Sequence, residues 1–156
     1  QLLDLVALGT IADLVPLDDN NRRLVQSGVD RIRRGQTRPG ILALIAVAGL
    51  DPTVITARQL AFNIATRLNA AGRLEEMSAG VACLLADADG ALKQAQLLDQ
   101  YNRSRREIEE TMREQAEDLL GALPDDALAS LMGIRLIEED WHEGVVGIVA
   151  ARVRAR

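Results

Sequence analysis

Apolar residues recur along much of the chain at the three- and four-residue spacing of amphipathic helices. The first predicted helix lies within residues 2–15 and is ended by Pro16. The second, over residues 21–34, follows an Asp-rich turn that supplies an N-cap. Its expected inward residues share one helix face: Leu24, Val25, Val29 and Ile32. Further helices are predicted over residues 41–48, 57–68 (capped by Thr56) and 81–85.

Residues 91–120 contain no Gly or Pro and predict one long helix. About thirty helical residues would span roughly 45 Å. The charged side chains are spaced for i,i+4 ion pairs, such as Arg105 with Glu109 and Arg113 with Glu117. The apolar stripe is narrow, which is typical of a helix that connects two domains.

The last part of the chain combines a strand pattern with a helical one. Residues 131–137 are the best strand candidate, and a loop over 138–144 leads into a helix over 145–156. The expected fold class is therefore mainly α with a small α/β part. The predicted parts are a helical cluster (1–90), a connecting helix (91–122) and the start of a second, α/β unit (123–156).

The amino-acid composition favours some classes of protein and excludes others. Hydrophobic residues make up 48% of the chain and aromatic residues only 2%, so the core must be built from aliphatic side chains, which favours helix packing. The net charge of −5 argues against a protein whose whole surface binds nucleic acid, but it does not exclude a local basic groove. One cysteine excludes a disulfide framework and a cysteine-based metal site. No apolar run reaches the roughly 18 residues of a membrane span.

Both chain ends lie within patterned segments. The chain begins at Gln1, directly before an apolar run, and it stops at Arg156 in the middle of a helical pattern. We expect the chain to be an internal piece of a longer protein.

Asp13 is the first residue that could carry chemistry. It lies in an apolar run, where a carboxylate is costly unless it caps a turn, pairs with a cation or binds a metal. One interpretation is a cap of the turn that follows. The other is one ligand of Mg²⁺ or Mn²⁺, whose further ligands would lie elsewhere because these ions require several.

Arg67 and Arg73 flank a short segment of small residues, Asn-Ala-Ala-Gly. Small residues allow close backbone approach, and arginine offers a planar fork of donors to phosphate oxygens. This pattern indicates either a phosphate-contacting elbow or a helix end with Gly72 as its stop and two surface arginines. The arginine-rich stretch over residues 22–38 has no interleaved aromatics, which favours a solvated face.

His142 and Gly144 lie in the loop between the predicted last strand and last helix. Backbone N–H groups at a helix start can receive an anion, which makes this loop a second candidate for phosphate contact. The alternative is a surface histidine that only forms hydrogen bonds.

Three segments together resemble the RecJ family of the DHH phosphoesterases. They are Leu-Val-Ala-Leu-Gly-Thr-Ile-Ala-Asp-Leu-Val-Pro-Leu (5–17), Arg-Leu-Asn-Ala-Ala-Gly-Arg-Leu (67–74) and Trp-His-Glu-Gly-Val-Val-Gly-Ile-Val-Ala (141–150). Their order and spacing match as well. The resemblance implies that the chain holds the helical end of a DHH catalytic domain, a long connecting helix, and the first strand and helix of the DHH-associated C-terminal domain.

The resemblance implies a Mn²⁺- or Mg²⁺-dependent exonuclease of DNA repair and recombination, which digests single-stranded DNA from the 5′ end to mononucleotides. Asp13 would be a catalytic metal ligand. Arg67, Asn69 and Arg73 would line the DNA path or support the metal site. His142 and Gly144 would bind nucleic acid from the cleft wall that the second domain contributes. The implied protein is a cytoplasmic monomer, with no membrane attachment and with a single-strand-binding protein or a helicase as partner.

The chain departs from the family pattern in two ways. The family's other acidic motifs and its Asp-His-His triplet are absent, so most metal ligands would lie outside this chain and the piece alone should be inactive. Thr66 stands where the family pattern has Pro. Two alternatives stay open: a DHH-type phosphodiesterase of short oligonucleotides, cyclic dinucleotides or pyrophosphate, and a non-catalytic helical scaffold.

Overall fold

The computed structural model describes residues 2–124 and 132–155 and is mainly helical, as the sequence predicts. Its elements, in chain order, are α1 (Leu3–Ala12), α2 (Asp19–Arg33), α3 (Pro39–Val47), a 3-10 turn (Pro52–Val54), α4 (Ala57–Gln59), a π-helical stretch (Leu60–Ala65), α5 (Thr66–Leu74), α6 (Ser78–Leu85), α7 (Ala88–Gly121) and α8 (Glu143–Arg154). None of the helices within the described residues is long and apolar enough to cross a membrane. The chain divides into two compact units, residues 1–102 and 103–156.

The helix starts follow the capping residues that the sequence offers. The Asp18 carboxylate accepts a hydrogen bond of 2.8 Å from the backbone N–H of Asn21 and begins α2. At α4, the Thr56 hydroxyl accepts from the Gln59 N–H, and the Gln59 side chain accepts from the Thr56 N–H at 2.9 Å. These reciprocal bonds satisfy backbone donors that the helix itself leaves free.

The first unit is built around aliphatic side chains from α1 to the beginning of α7. Within it, α1 packs on α2 and on the π-helical stretch, and α3 packs on α6. The largest side chains buried in this core are Ile32, Ile41, Leu44, Ile45, Ile55, Leu60, Ile64 and Leu98. Their removal from water is the main force that assembles the unit.

The helices α1 and α2 approach each other most closely at Gly28. A Cβ atom at this position would lie 2.2 Å from the backbone oxygen of Leu3 and 2.4 Å from the Cβ of Ala7, so only glycine fits. The buried face of α2 therefore centres on Gly28, between Val25 and Val29. The prediction that Leu24 turns inward is wrong: it lies at the edge of this face and is 39% exposed.

Asp4 anchors the first turn of α1 through its buried carboxylate. The carboxylate accepts hydrogen bonds from the Thr37 hydroxyl at 3.0 Å and from the Arg38 backbone N–H at 3.1 Å. It also forms an ion pair of 2.9 Å with the Arg38 guanidinium. Burial acts to raise the pKa of Asp4, but the hydrogen bonds from Thr37, Leu5 and Arg38 and the Arg38 charge outweigh it and lower the pKa.

The second unit contains the rest of α7 and α8. Met112 and Ala116 of α7 and Val145 and Val149 of α8 are buried. The predicted helix pairs of Arg105 with Glu109 and of Arg113 with Glu117 are both formed. At 34 residues, α7 is slightly longer than the sequence predicts.

The predicted strand over residues 131–137 is not formed in its described part. Residue 131 lies outside the described residues, and residues 132–137 have no regular secondary structure. A strand needs a neighbour for its backbone hydrogen bonds, and the described residues contain no other strand. The side chains of Met132 and Ile137 are accordingly exposed.

The close approach at Gly28 leads to a stability prediction. Replacing Gly28 by Ala should lower the free energy of unfolding by about 2 kcal/mol, because the added methyl group forces α1 away from α2. Gly9→Ala is the matched control within α1, since a Cβ there meets nothing within 4 Å. That control should gain about 0.5–1 kcal/mol in helix propensity. Urea denaturation measures both changes, and equal effects in the two variants would contradict the packing argument.

The buried carboxylate of Asp4 gives the stability of the fold a specific dependence on pH. A lowered pKa in the folded state stabilises the fold fully above the unfolded-state value, which is near 3.8, and this contribution is lost as the pH falls through the folded-state value. Asp4→Asn should therefore cost about 3 kcal/mol at neutral pH and progressively less below about pH 4. Denaturation curves across pH measure the difference in stability between the parent and Asp4→Asn. A difference that stays constant as the pH falls below about 4 would contradict this expectation.

Candidate active site

Asp13 lies directly after α1, at the point where the chain reverses. The N–H of Leu14 donates to the carbonyl of Ile11 at 3.3 Å, and the N–H of Val15 donates to the carbonyl of Thr10 at 3.1 Å. Such paired bonds close a helix end through one left-handed residue. That residue is Leu14, with φ of +52°. The helix therefore stops at Ala12, earlier than Pro16 would require, and Asp13 is left exposed on the surface.

Two other helix ends in the first unit use the same bonds with glycine in the left-handed position. Gly35 closes α2 with φ of +69°, and Gly49 closes α3 with φ of +68°. Glycine adopts this conformation without steric cost, whereas other residues pay roughly 1–2 kcal/mol. Leu14 keeps its side chain in this costly position although the side chain is 86% exposed. Strain of this kind concentrates at functional sites, which makes the turn after Asp13 a candidate.

The second part of the site is carried by α5. The chain reaches α5 through the π-helical stretch Leu60–Ala65, a feature that is frequent at functional sites. At the junction, the Thr66 hydroxyl donates to the Phe62 carbonyl at 2.9 Å, a back-bond that helical threonines often form. One face of α5 buries Leu68, Ala70 and Ala71, and this packing turns Asn69 and Arg73 to the surface.

A surface cavity of about 500 Å³ brings the end of α1 and the end of α5 together. The residues that line it are Ala12, Asp13, Leu14, Asn69, Gly72, Arg73 and Met77. Three residues singled out in the sequence, Asp13, Asn69 and Arg73, thus share one cavity although they come from segments far apart in the chain. The cavity offers a carboxylate, a carboxamide and a guanidinium, which is a chemistry suited to a phosphate and its counterion.

The chain's own residues supply at most part of a metal site. No group of three or more His, Cys, Asp or Glu side chains lies close enough to hold an ion, as far as the described residues go. Asp13 is exposed and can offer its two oxygens, but Mg²⁺ and Mn²⁺ require several ligands. Cys83 is buried, which raises the pKa of its thiol to about 11 and leaves it inert as a ligand or nucleophile.

Arg67 does not line this cavity. Its side chain is buried and directed at α7, where Nε and Nη2 each lie 2.8 Å from the same carboxylate oxygen of Asp99. Its Nη1 donates to the carbonyl of Asn63 at 2.6 Å. The structure therefore places the two arginines of the 67–73 segment in different surroundings, with Arg67 inside the unit and Arg73 at its surface.

In the second unit, His142 is the N-cap of α8. Its Nδ1 accepts a hydrogen bond of 3.1 Å from the N–H of Gly144. The indole N–H of Trp141 donates to the Gln115 side chain of α7 at 2.8 Å, which attaches this loop to the long helix. The loop thus has a defined conformation, with the imidazole facing the start of α8.

A buried carboxylate also connects the two helices of the second unit. Glu109 of α7 is 3% exposed, pairs with Arg105 on its own helix and lies 2.7 Å from the Arg152 guanidinium of α8. Burial lowers the pKa of Arg105, and the charge of Glu109 opposes this shift. The ion pairs of Glu109 with the two arginines hold α8 on α7.

Sequence patterns missed the burial of the carboxylates Asp4, Asp99 and Glu109, although they predicted the pairing of Glu109 with Arg105. The sequence did contain an indication for Asp4, because it is a second carboxylate in the apolar run that contains Asp13. Asp99 adjoins the apolar stripe of α7 at Leu98, but nothing in the spacing links it to an arginine 32 residues earlier. Ion pairs between helices that are distant in the sequence can be identified only from the packed structure.

The chain was compared with known proteins. No family model matches it. Proteins named single-stranded-DNA-specific exonuclease RecJ from Salmonella typhimurium and Escherichia coli are each 48% identical to it over 157 residues, which is 100% of this chain and 27% of the relative. The Bacillus subtilis protein of the same name is 38% identical over 98% of this chain and 19% of its own length.

Solved structures show the same likeness to RecJ proteins. A crystal structure of Thermus thermophilus RecJ in complex with Mg²⁺ matches 98% of this chain and 23% of its own with a TM-score of 0.83 and 36% identity. The predicted resemblance to RecJ is confirmed. A crystal structure of exonuclease RecJ bound to manganese matches 97% of this chain and 37% of its own with a TM-score of 0.82 and 36% identity. The chain thus spans roughly a quarter of the RecJ proteins from Salmonella typhimurium and Escherichia coli.

The left-handed conformation at Leu14 leads to a testable expectation. Leu14→Gly should raise the free energy of unfolding by about 0.5–1 kcal/mol, because relief of the strain exceeds the added flexibility of glycine in the unfolded chain. The reciprocal control is Gly49→Ala, which introduces the same strain where a Cβ meets no neighbour and should lower stability by about 1 kcal/mol. Both shifts are read from urea denaturation. A destabilised Leu14→Gly chain would show that the leucine side chain makes contacts worth more than the strain.

Proposed function

We propose that the chain is an internal part of a metal-dependent exonuclease that hydrolyses single-stranded DNA from its 5′ end to mononucleotides, in DNA repair and recombination. The observation that carries this proposal is the cavity that gathers Asp13, Asn69 and Arg73. A fold shared with RecJ along nearly the whole chain supports the same reaction class.

The proposed cofactor is Mn²⁺ or Mg²⁺, the ions bound in the related crystal structures. When bound, such an ion activates a water molecule and neutralises charge on the scissile phosphate. Asp13 would contribute one carboxylate ligand from its exposed position after α1. The remaining ligands would come from parts of the longer protein outside this chain.

The other residues of the cavity would act on the DNA strand. Arg73 would donate charge-assisted hydrogen bonds to phosphate oxygens, since it lines the same cavity as Asp13. Asn69, one helical turn earlier, would donate from its carboxamide to the same backbone. Together they would hold a phosphate close to Asp13 and orient the bond that is broken.

We assign His142 of the second unit to contact with DNA as well, with Gly144 orienting its imidazole ring. The imidazole already accepts from the Gly144 N–H, so this N–H is not offered to an anion. Because Nδ1 accepts this bond, the N–H donor of the ring is Nε2, which can face a phosphate. This contribution is separate from the cavity of the first unit.

The ligand role of Asp13 is tested in the full-length protein with Mn²⁺ and a 5′-labelled single-stranded oligonucleotide. Asp13→Asn removes only the charge and should reduce kcat at least about 100-fold, because even residues that only orient metal ligands cost 10–100-fold when removed. Asp19→Asn is the matched control, an exposed aspartate in the first turn of α2, and should keep parental activity. Equal activity of the two variants would make Asp13 a structural residue.

A second experiment tests the incompleteness of the site. The 156-residue chain alone, with Mn²⁺, should leave single-stranded DNA intact, because a lone carboxylate cannot hold the ion. Release of labelled mononucleotides by the purified chain would contradict this expectation. If the full-length protein cleaves only dinucleotides or cyclic dinucleotides, the substrate assignment changes to a small-substrate phosphodiesterase.

A further inference from the structure

The ion pair between Arg67 and Asp99 connects the segment that carries the cavity residues to the long helix. Both side chains are about nine-tenths buried, and both belong to the first unit. Two guanidinium nitrogens of Arg67 converge on one oxygen of Asp99 at 2.8 Å. Charge-assisted bonds in a buried setting are strong and directional, so they restrict how α5 can rotate and slide.

The position of Arg67 within α5 makes this restriction relevant to the cavity. Asn69 follows it by two residues and Arg73 by six, on a helix of nine residues. A third bond, from Arg67 Nη1 to the Asn63 carbonyl, ties the same guanidinium to the π-helical stretch that precedes α5. The side chain of Arg67 is thus a brace between the π-helical stretch, α5 and α7, rather than a group presented to solvent.

We propose that Asp99 is a positioning residue of the exonuclease site, acting through Arg67 to hold Asn69 and Arg73 at the cavity beside Asp13. Arg67 in this role contacts no DNA, although it belongs to the same sequence segment as Arg73. The inference rests on the proposed function, and it assigns to the long helix a direct influence on the geometry of the site.

Two variants of the full-length protein separate positioning from DNA contact. Asp99→Ala and Arg67→Ala should each reduce kcat on single-stranded DNA by about 10- to 100-fold, because displacement of reacting groups by about 1 Å can cost this much. The double variant should be no worse than Arg67→Ala alone, since Asp99 acts through Arg67. Asp99→Glu, which restores the carboxylate, should recover part of the activity.

The salt dependence of DNA binding gives the second comparison. If Arg67 contacts a phosphate directly, its loss should make the negative slope of log K against log salt shallower by about 0.7, and Asp99→Ala should leave the slope unchanged. If Arg67 only positions other groups, the two variants should have the same slope and the same KM. A difference in slope between the two variants would overturn the proposal.

Loss of stability is controlled with Ile45→Val, which removes one buried methyl group of α3 from the same core. Its activity per folded molecule, measured well below the unfolding temperature, should equal that of the parent. If its kcat falls as far as that of Asp99→Ala, the effect reports general destabilisation and the proposal fails.

Hydrogen exchange keeps the inference testable even without nuclease activity. Amides of residues 66–74 in full-length Asp99→Ala should lose protection relative to Ile45→Val, whatever the protein's substrate. An inactive parent in which residues 66–74 are still loosened by Asp99→Ala would refute the proposed function but not the brace. Unchanged protection would refute the brace even if the parent digests DNA.

Discussion

The candidate site depends on how firmly α1 is held, because Asp13 extends from its last turn. Two contacts hold this helix: the buried carboxylate of Asp4 bonds the turn before α3, and Gly28 lets α2 approach within van der Waals distance. The carboxylate is costly to bury and is compensated by bonds to both the backbone and the side chain of Arg38. One end of α1 is therefore tied by charge and its middle by close packing, which leaves the other end defined in space.

A common arrangement recurs at the three buried carboxylates. Asp4, Asp99 and Glu109 each pair with arginine, and in each case the pair joins segments that are distant in the sequence. Arginine suits this use because its flat fork reaches a carboxylate with two nitrogens and loses little freedom in doing so. The chain has a single lysine, Lys93, so its basic residues are almost all able to serve in this way. Part of the arginine content, which by itself suggests nucleic-acid binding, thus serves to hold the fold together.

Sequence patterns predicted the helices because each buries one aliphatic face, and the caps at Asp18 and Thr56 are local signals. The patterns missed what depends on packing between elements, such as the role of Gly28. The predicted strand is absent over its described residues, 132–137, where no other described strand lies beside it. The gathering of Asp13, Asn69 and Arg73 was implied by the family resemblance, not by spacing. The separation of Arg67 from Arg73 required the position of α7, which no local pattern contains.

The π-helical stretch before α5 determines the direction of the side chains that follow it. A π turn accommodates one residue more than an α turn, and one residue corresponds to about 100° of rotation about the helix axis. Deletion of a single residue within Leu60–Ala65 would restore an ordinary helix and turn every following side chain away from its present direction. Asn69 and Arg73 would leave the cavity and apolar residues would take their place. One inserted residue thus sets which face of α5 meets Asp13.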